Sequence, residues 1–123
     1  MIEEGQIVLF AFPEIGRMSG KLRPAVILRA LPGPQGDWLV CMISSQLRHE
    51  IPEMDEVVRD TDLDFRQTGL RMTSLVRVTR LAVVSRGELE GAIGQLSEER
   101  LRRIRARLAR WIDGGVADAV RGR

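Results

Sequence analysis

Pro24-Ala25-Val26-Ile27-Leu28 is the stretch on which the reading of the fold turns. It is short, apolar and β-branched, and its first residue lacks an N–H, which a strand tolerates at that position. Arg23 stands at its entrance. On the amino-terminal side, Ile7-Val8-Leu9-Phe10-Ala11-Phe12 is a similar run between Gly5 and Pro13. The intervening Pro13 to Gly20, with Pro, two Gly and Ser, reads as a loop. On the other side, Leu31 to Asp37 is dense in Pro and Gly and must turn the chain. Trp38 to Ile43 then forms a third strand that ends in Ser44-Ser45-Gln46. Beyond it, Glu56 to Arg59 is a candidate short edge strand. Ser74 to Val84 has strand propensity throughout but alternates only in part, so one bent strand or two short ones are expected. Several short strands bounded by Gly or Pro indicate a small barrel or sandwich.

The period changes at Ser97. Ser97 is a good N-cap, and Glu98 and Glu99 follow at the positive end of the helix dipole. Leu101, Ile104, Leu108, Trp111 and Ile112 recur at helical spacing, with arginines filling the remaining positions, and Asp113-Gly114-Gly115 stops the helix. A helical turn is expected around Glu88 to Ile93, ended by Gly94. Residues 1–116 are expected to form one domain, followed by a frayed tail from Ala117 to Arg123.

The 123 residues, 13.8 kDa, suit one domain with one core. No apolar run approaches the ~18 residues of a membrane span. The opening Met1-Ile2-Glu3-Glu4 lacks the basic stretch and apolar core of a secretory leader. A single cysteine, Cys41, excludes an internal disulfide and a cysteine-based zinc site. A reducing cytoplasm fits this usage. The single histidine, His49, excludes a two-histidine acid–base pair and a multi-histidine metal site within the chain. With no Tyr, three Phe and two Trp, a broad aromatic platform for nucleobases is not expected. Chemistry here must come from Arg, Ser, Thr, Asp or Glu.

The formal net charge of +2 hides an uneven distribution. Residues 97–123 carry eight Arg against four acids, while Glu50 to Asp64 carries seven acids and one Arg. Lys21 is the only lysine among nineteen basic residues. The arginine fork suits phosphate, although codon usage alone can produce such a bias.

In order, the chain shows Gly5-Gln6-Ile7-Val8, then Lys21-Leu22-Arg23-Pro24-Ala25-Val26-Ile27-Leu28, then Ile43-Ser44-Ser45-Gln46. Gly69-Leu70, Ser74-Leu75-Val76-Arg77 and Ile93-Gly94-Gln95-Leu96-Ser97 follow, ahead of an amphipathic helix. This ordered set, across roughly residues 5 to 112, resembles the MazF/PemK family of toxin–antitoxin ribonucleases. The resemblance implies a mainly β fold with α, a small SH3-like barrel plus the carboxy-terminal helix, usually as a homodimer. It also implies cleavage of single-stranded RNA without metal or other cofactor, by attack of a ribose 2′-hydroxyl on the adjacent phosphate. The same fold serves gyrase-poisoning toxins, so a non-nuclease binding protein, or a degenerate regulatory member, are the competing readings.

Such a cleavage needs proton removal from the 2′-hydroxyl, protonation of the leaving 5′-oxygen and stabilisation of the phosphorane charge. The resemblance assigns this work to Arg23 and Ser44, the latter standing where the family more often has Thr. Arg23 offers a fixed charge and several donors, which suits charge stabilisation better than proton transfer. Ser44 keeps the hydroxyl and loses the methyl that would restrict its rotamer. Read structurally instead, Arg23 is a surface arginine at a strand start and Ser44 bonds its own backbone; a one-residue slip would exchange Ser44 with Ser45.

Lys21, Gln46 and Arg77 are the candidate RNA contacts. Phe12 is expected in the core, stacking on a base at the loop mouth being the lesser alternative. His49 and Cys41 are expected outside the chemistry, and the arginines of the helix on a solvated face, with RNA or antitoxin contact the lesser alternative. The acidic run is a poor surface for phosphate, so RNA is expected away from it. The resemblance further implies a cognate antitoxin as partner, with a disordered and often acidic segment laid across the site.

Overall fold

The β-branched and aromatic runs all become strands: β1 (Gln6–Ala11), β2 (Leu22–Ala30), β3 (Trp38–Ser44), β4 (Glu56–Val58), β5 (Ser74–Val84) and β6 (Ala92–Gln95). They form one six-stranded antiparallel sheet in the order β4-β5-β3-β2-β1-β6, which is the expected SH3-like arrangement. The computed structural model describes residues 1–12, 21–89 and 91–115. The expected loop from Pro13 to Gly20 and the tail from Ala117 to Arg123 lie outside the described residues.

Strand alternation places side chains on both faces of the sheet, and both faces are covered. Ile7, Val26, Leu28, Cys41, Ile43, Val76 and Val78 pack on one face with Leu101, Ile104 and Leu108 of α1 (Glu98–Ile112). Val8, Ala25, Ile27, Val40 and Val84 pack on the other with Phe12 and Leu89. Phe12 is thus a core residue, as expected. α1 begins where the sequence indicates, with the Ser97 hydroxyl accepting the Arg100 amide at 3.3 Å. The apolar stripe is shorter than expected: Trp111 and Ile112 are exposed, and the buried apolar residues of the helix are Leu101, Ile104 and Leu108. No helix among the described residues is long and apolar enough to cross a membrane.

Two expectations are corrected. Instead of a helical turn from Glu88 to Ile93, a 3-10 turn covers Arg86–Glu88 and Ala92–Gln95 is strand β6. Ser85 and Glu88 close a capping box that holds the turn earlier, and the open edge of β1 takes the following residues into the sheet.

The second concerns the helix arginines, which form a solvated face only in part: Arg102, Arg103 and Arg110 are exposed, whereas Arg100, Arg105 and Arg107 are drawn in. Arg100 is only 8% exposed and reaches Glu56 (3.1 Å), Asp62 (2.6 Å) and Asp64 (2.7 Å). Arg103 and Arg107 also bind the Glu56 carboxylate, and Arg105 binds Glu4. The acidic run and the basic helix therefore neutralise each other, which satisfies carboxylates that burial would otherwise make costly.

β5 is one strand with an irregularity. Cys41 pairs with Leu81 while the next residue, Met42, pairs with Arg77, so Val78, Thr79 and Arg80 have no partner on β3. Asp55 compensates. One of its oxygens accepts the Val78 amide (3.0 Å) and the other the Ile51 amide (2.9 Å).

Candidate functional site

β2 and β3 both run beyond their last paired position in this direction, Ala25↔Met42. Continuing that register by two residues sets Arg23 against Ser44. Both line a cavity of about 460 Å³ at this end of the sheet. The strands supply its floor through Leu9, Pro24 and Ile43, and the segment between the Arg66–Thr68 turn and β5 supplies a wall through Leu70, Arg71 and Met72. Leu22 and Ile93 complete an apolar rim, and Leu9, Leu22, Met72 and Ile93 are all exposed despite being large and apolar.

Ser44 is 8% exposed, and its Oγ accepts the backbone N–H of Gln46 at 3.0 Å. That bond fixes the oxygen and leaves the hydroxyl proton to be donated elsewhere. Ser45, the alternative position for the hydroxyl, also lines the cavity but is exposed. Ser74 lines it too, with its hydroxyl donated to the Met72 carbonyl at 2.8 Å.

The wall depends on a close backbone approach. Gly69 has φ +72°, and a Cβ there would lie 2.1 Å from the Ile93 carbonyl oxygen. A Cβ on Gly94 would lie 2.1 Å from the carbonyl oxygen of Thr68. Only glycine permits this contact between the turn and β6.

The remaining predicted residues stand apart from the cavity. Lys21 is exposed and is not among its lining residues. Gln46 is not among them either; its side-chain oxygen accepts from Arg48 Nη1 at 2.5 Å. Arg77 sits opposite Met42, two residues from Ser44 along β3. Partial burial and the nearby charge of Arg80 both hold its guanidinium below the ordinary arginine range. Loss of hydration, together with the charges of Arg77, Arg48 and Arg80, holds His49 below the usual imidazole range. Burial, reinforced by the charge of Asp55, pushes the Cys41 thiol far up, so it is not a nucleophile. Among the described residues, no group of three or more His, Cys, Asp or Glu is arranged to hold a metal ion.

Sequence reading found the two polar residues that converge and missed the wall. Arg71 and Met72 belong to no strand or helix and carry no motif, so only the Gly69-Leu70 pair pointed to that segment.

A search of curated proteins found no match. Among solved structures, MazF (Form-I) from Deinococcus radiodurans aligns with a TM-score of 0.65 at 17% identity, covering 91% of this chain and 96% of that one. The Mycobacterium tuberculosis toxin MazF-mt6 aligns at 0.63 with 18% identity, covering 88% and 96%. An endoribonuclease in complex with its cognate antitoxin, from a mycobacterial species, aligns at 0.63 with 14% identity, covering 92% and 96%. At these identities the likeness is one of fold. A family model, however, described as PemK-like, MazF-like toxin of type II toxin-antitoxin system, matches residues 3–112. With nearly the whole chain matched, this protein belongs to the PemK-like, MazF-like toxin family of type II toxin–antitoxin systems.

Proposed function

We propose that the chain is a metal-independent endoribonuclease toxin that cuts single-stranded RNA through attack of a ribose 2′-hydroxyl on the adjacent phosphate. The observation that carries this reading is the meeting of Arg23 and Ser44 on one cavity at the ends of adjacent strands. An RNA phosphate seated there gains charge in the transition state. The Arg23 guanidinium is the group to stabilise it, because preorganised donors aimed at developing charge contribute most to such reactions. The Ser44 hydroxyl, its oxygen held by the Gln46 amide, donates a hydrogen bond to a phosphate oxygen and keeps its proton. As the 2′-oxygen bonds to phosphorus its proton passes to water, and as the bond from phosphorus to the 5′-oxygen breaks that oxygen takes a proton from water, giving a 2′,3′-cyclic phosphate and a 5′-hydroxyl. Lys21, Gln46 and Arg77 contact the RNA outside the cavity.

The toxin domain spans residues 1–116 and acts in the cytoplasm as a homodimer. Its partner is a cognate antitoxin, a reading supported by the antitoxin-bound mycobacterial relative. The apolar rim at Leu9, Leu22, Met72 and Ile93 would otherwise stay in water. The test is incubation of purified protein with mixed RNA in EDTA. Discrete fragments with 5′-hydroxyl ends are expected, and undiminished cleavage by Arg23→Ala would overturn the assignment.

A further inference from the structure

The irregularity in β5 does more than bend a strand. By looping Val78, Thr79 and Arg80 past β3, it brings Thr79 and Arg80 to a second cavity of about 400 Å³, shared with Phe12, Met42, Leu81 and Ala82. Such irregularities recur beside active sites, where they re-aim side chains. Here the extra residues are pinned by the buried Asp55, whose two oxygens are taken by backbone amides. Arg77 stands at the near end of the loop, opposite Met42. Met42 lies two residues, about 7 Å, from Ser44 along β3.

Charge marks this place out. Five of the six helix arginines are matched to carboxylates: Arg100, Arg103 and Arg107 to Glu56, Arg105 to Glu4 and Arg102 to Glu98. Arg77 and Arg80, by contrast, have no ion-pair partner among the described residues, although each lies within the other's field. His49 lies within the field of Arg77, Arg48 and Arg80, and Asp55 is the acidic group felt by Arg77. Uncompensated like charges held by a fold are stabilised when an anion binds.

We infer that Arg77, Arg80 and the Phe12–Met42 cavity form a subsite for one further nucleotide of the bound RNA, with its phosphate on the two arginines and its base in the cavity. This rests on the ribonucleotide reading of the Arg23–Ser44 site and extends it. A nucleotide is favoured over an acidic peptide because Arg80 lines a cavity whose other walls are mostly apolar, with Phe12 buried in its lining, and a nucleotide joins an anion to a flat base.

The test uses the full chain and a labelled, uncleavable all-2′-deoxy octanucleotide, with Kd measured across a salt series. Arg80→Ala, at an exposed position, and Arg77→Ala are each expected to weaken binding about 5- to 10-fold. Each is also expected to flatten the slope of log Kd against log salt by about 0.7, the value for one phosphate contact on a single strand. Arg80→Lys is expected to keep the slope, and Arg102→Ala to match the wild type. Wild-type slopes in both alanine variants, in a protein that still cleaves RNA, would overturn the subsite and leave the nuclease reading intact. Absent RNA cleavage with an Arg80-dependent slope would do the reverse. If the octanucleotide fails to bind while an octaglutamate peptide binds through Arg80, the surface belongs to a protein partner and the inference falls.

Discussion

Arg100, on the carboxy-terminal helix, donates to the Glu56 carboxylate at 3.1 Å across a sequence separation of 44 residues, and both side chains are almost fully buried. The same guanidinium reaches Asp62 and Asp64, so one side chain ties the helix to the edge strand and to the acidic segment after it. Arg100→Ala is expected to lower stability by about 3–5 kcal/mol, because it strands buried carboxylates instead of removing a balanced pair. Urea unfolding midpoints compare the variant with the wild type, and a loss below about 1 kcal/mol would refute the role.

Acid should act through the same contacts. The hydrogen bond from Arg100 holds the Asp64 carboxyl below its usual range, and the Arg59 amide, with Arg100, does the same for Asp62. A carboxyl whose folded-state value is depressed contributes stability that is present above its unfolded value, near pH 4, and is lost as pH falls through the folded one. Stability is therefore expected to drop below about pH 4. Asp64→Asn should be less stable at neutral pH and should lose less on acidification. Parallel pH profiles for the two proteins would contradict this.

At the cavity, Arg23→Ala is expected to reduce RNA cleavage by about 10²- to 10³-fold, the usual effect of removing one preorganised donor. Ser44→Ala should lower kcat, while Ser44→Thr should restore it, since the hydroxyl is kept. Thermal unfolding should move little in Arg23→Ala, which separates loss of chemistry from loss of fold.

Cys41 offers a readout of core integrity. With its thiol buried and its ionisation suppressed, it should resist an aromatic disulfide reagent in the native protein and react once the chain is unfolded in guanidinium. Rapid reaction under native conditions would show that the Val26–Cys41 region opens.

Gly94→Ala should destabilise the fold by at least about 1–3 kcal/mol, the range for added volume at a packed site. Its methyl would meet the Thr68 carbonyl oxygen at 2.1 Å. A variant as stable as the parent would mean that the turn shifts freely.

The strands and the helix start were legible because each is a local property: an apolar run, a flanking Pro or Gly, a Ser followed by two Glu. Arg23 and Ser44 were legible through motif order, and β2–β3 register explains why they meet. What stayed hidden is set by tertiary contact. The acidic run and the arginines of α1 were both visible as charge. Their pairing was not, because nothing local in Glu56 says that Arg100, Arg103 and Arg107 converge on it. Likewise Ser74 to Val84 displayed imperfect alternation, the trace of the looped-out residues, yet the buried Asp55 that stabilises them lies in a different part of the chain. Ala92–Gln95 has few strand formers and is in the sheet because β1 offers it an edge.

The seam where Gly69 and Gly94 press bare backbone against carbonyl groups divides the pocket into two kinds of material. There, any change bigger than hydrogen pries the two segments apart. The surrounding Leu9, Leu22, Met72 and Ile93 side chains are exposed at the rim and belong to neither cluster of the core. Mutational drift thus has freedom to reshape what the pocket prefers while the frame that presents Arg23 and Ser44 stays as it is.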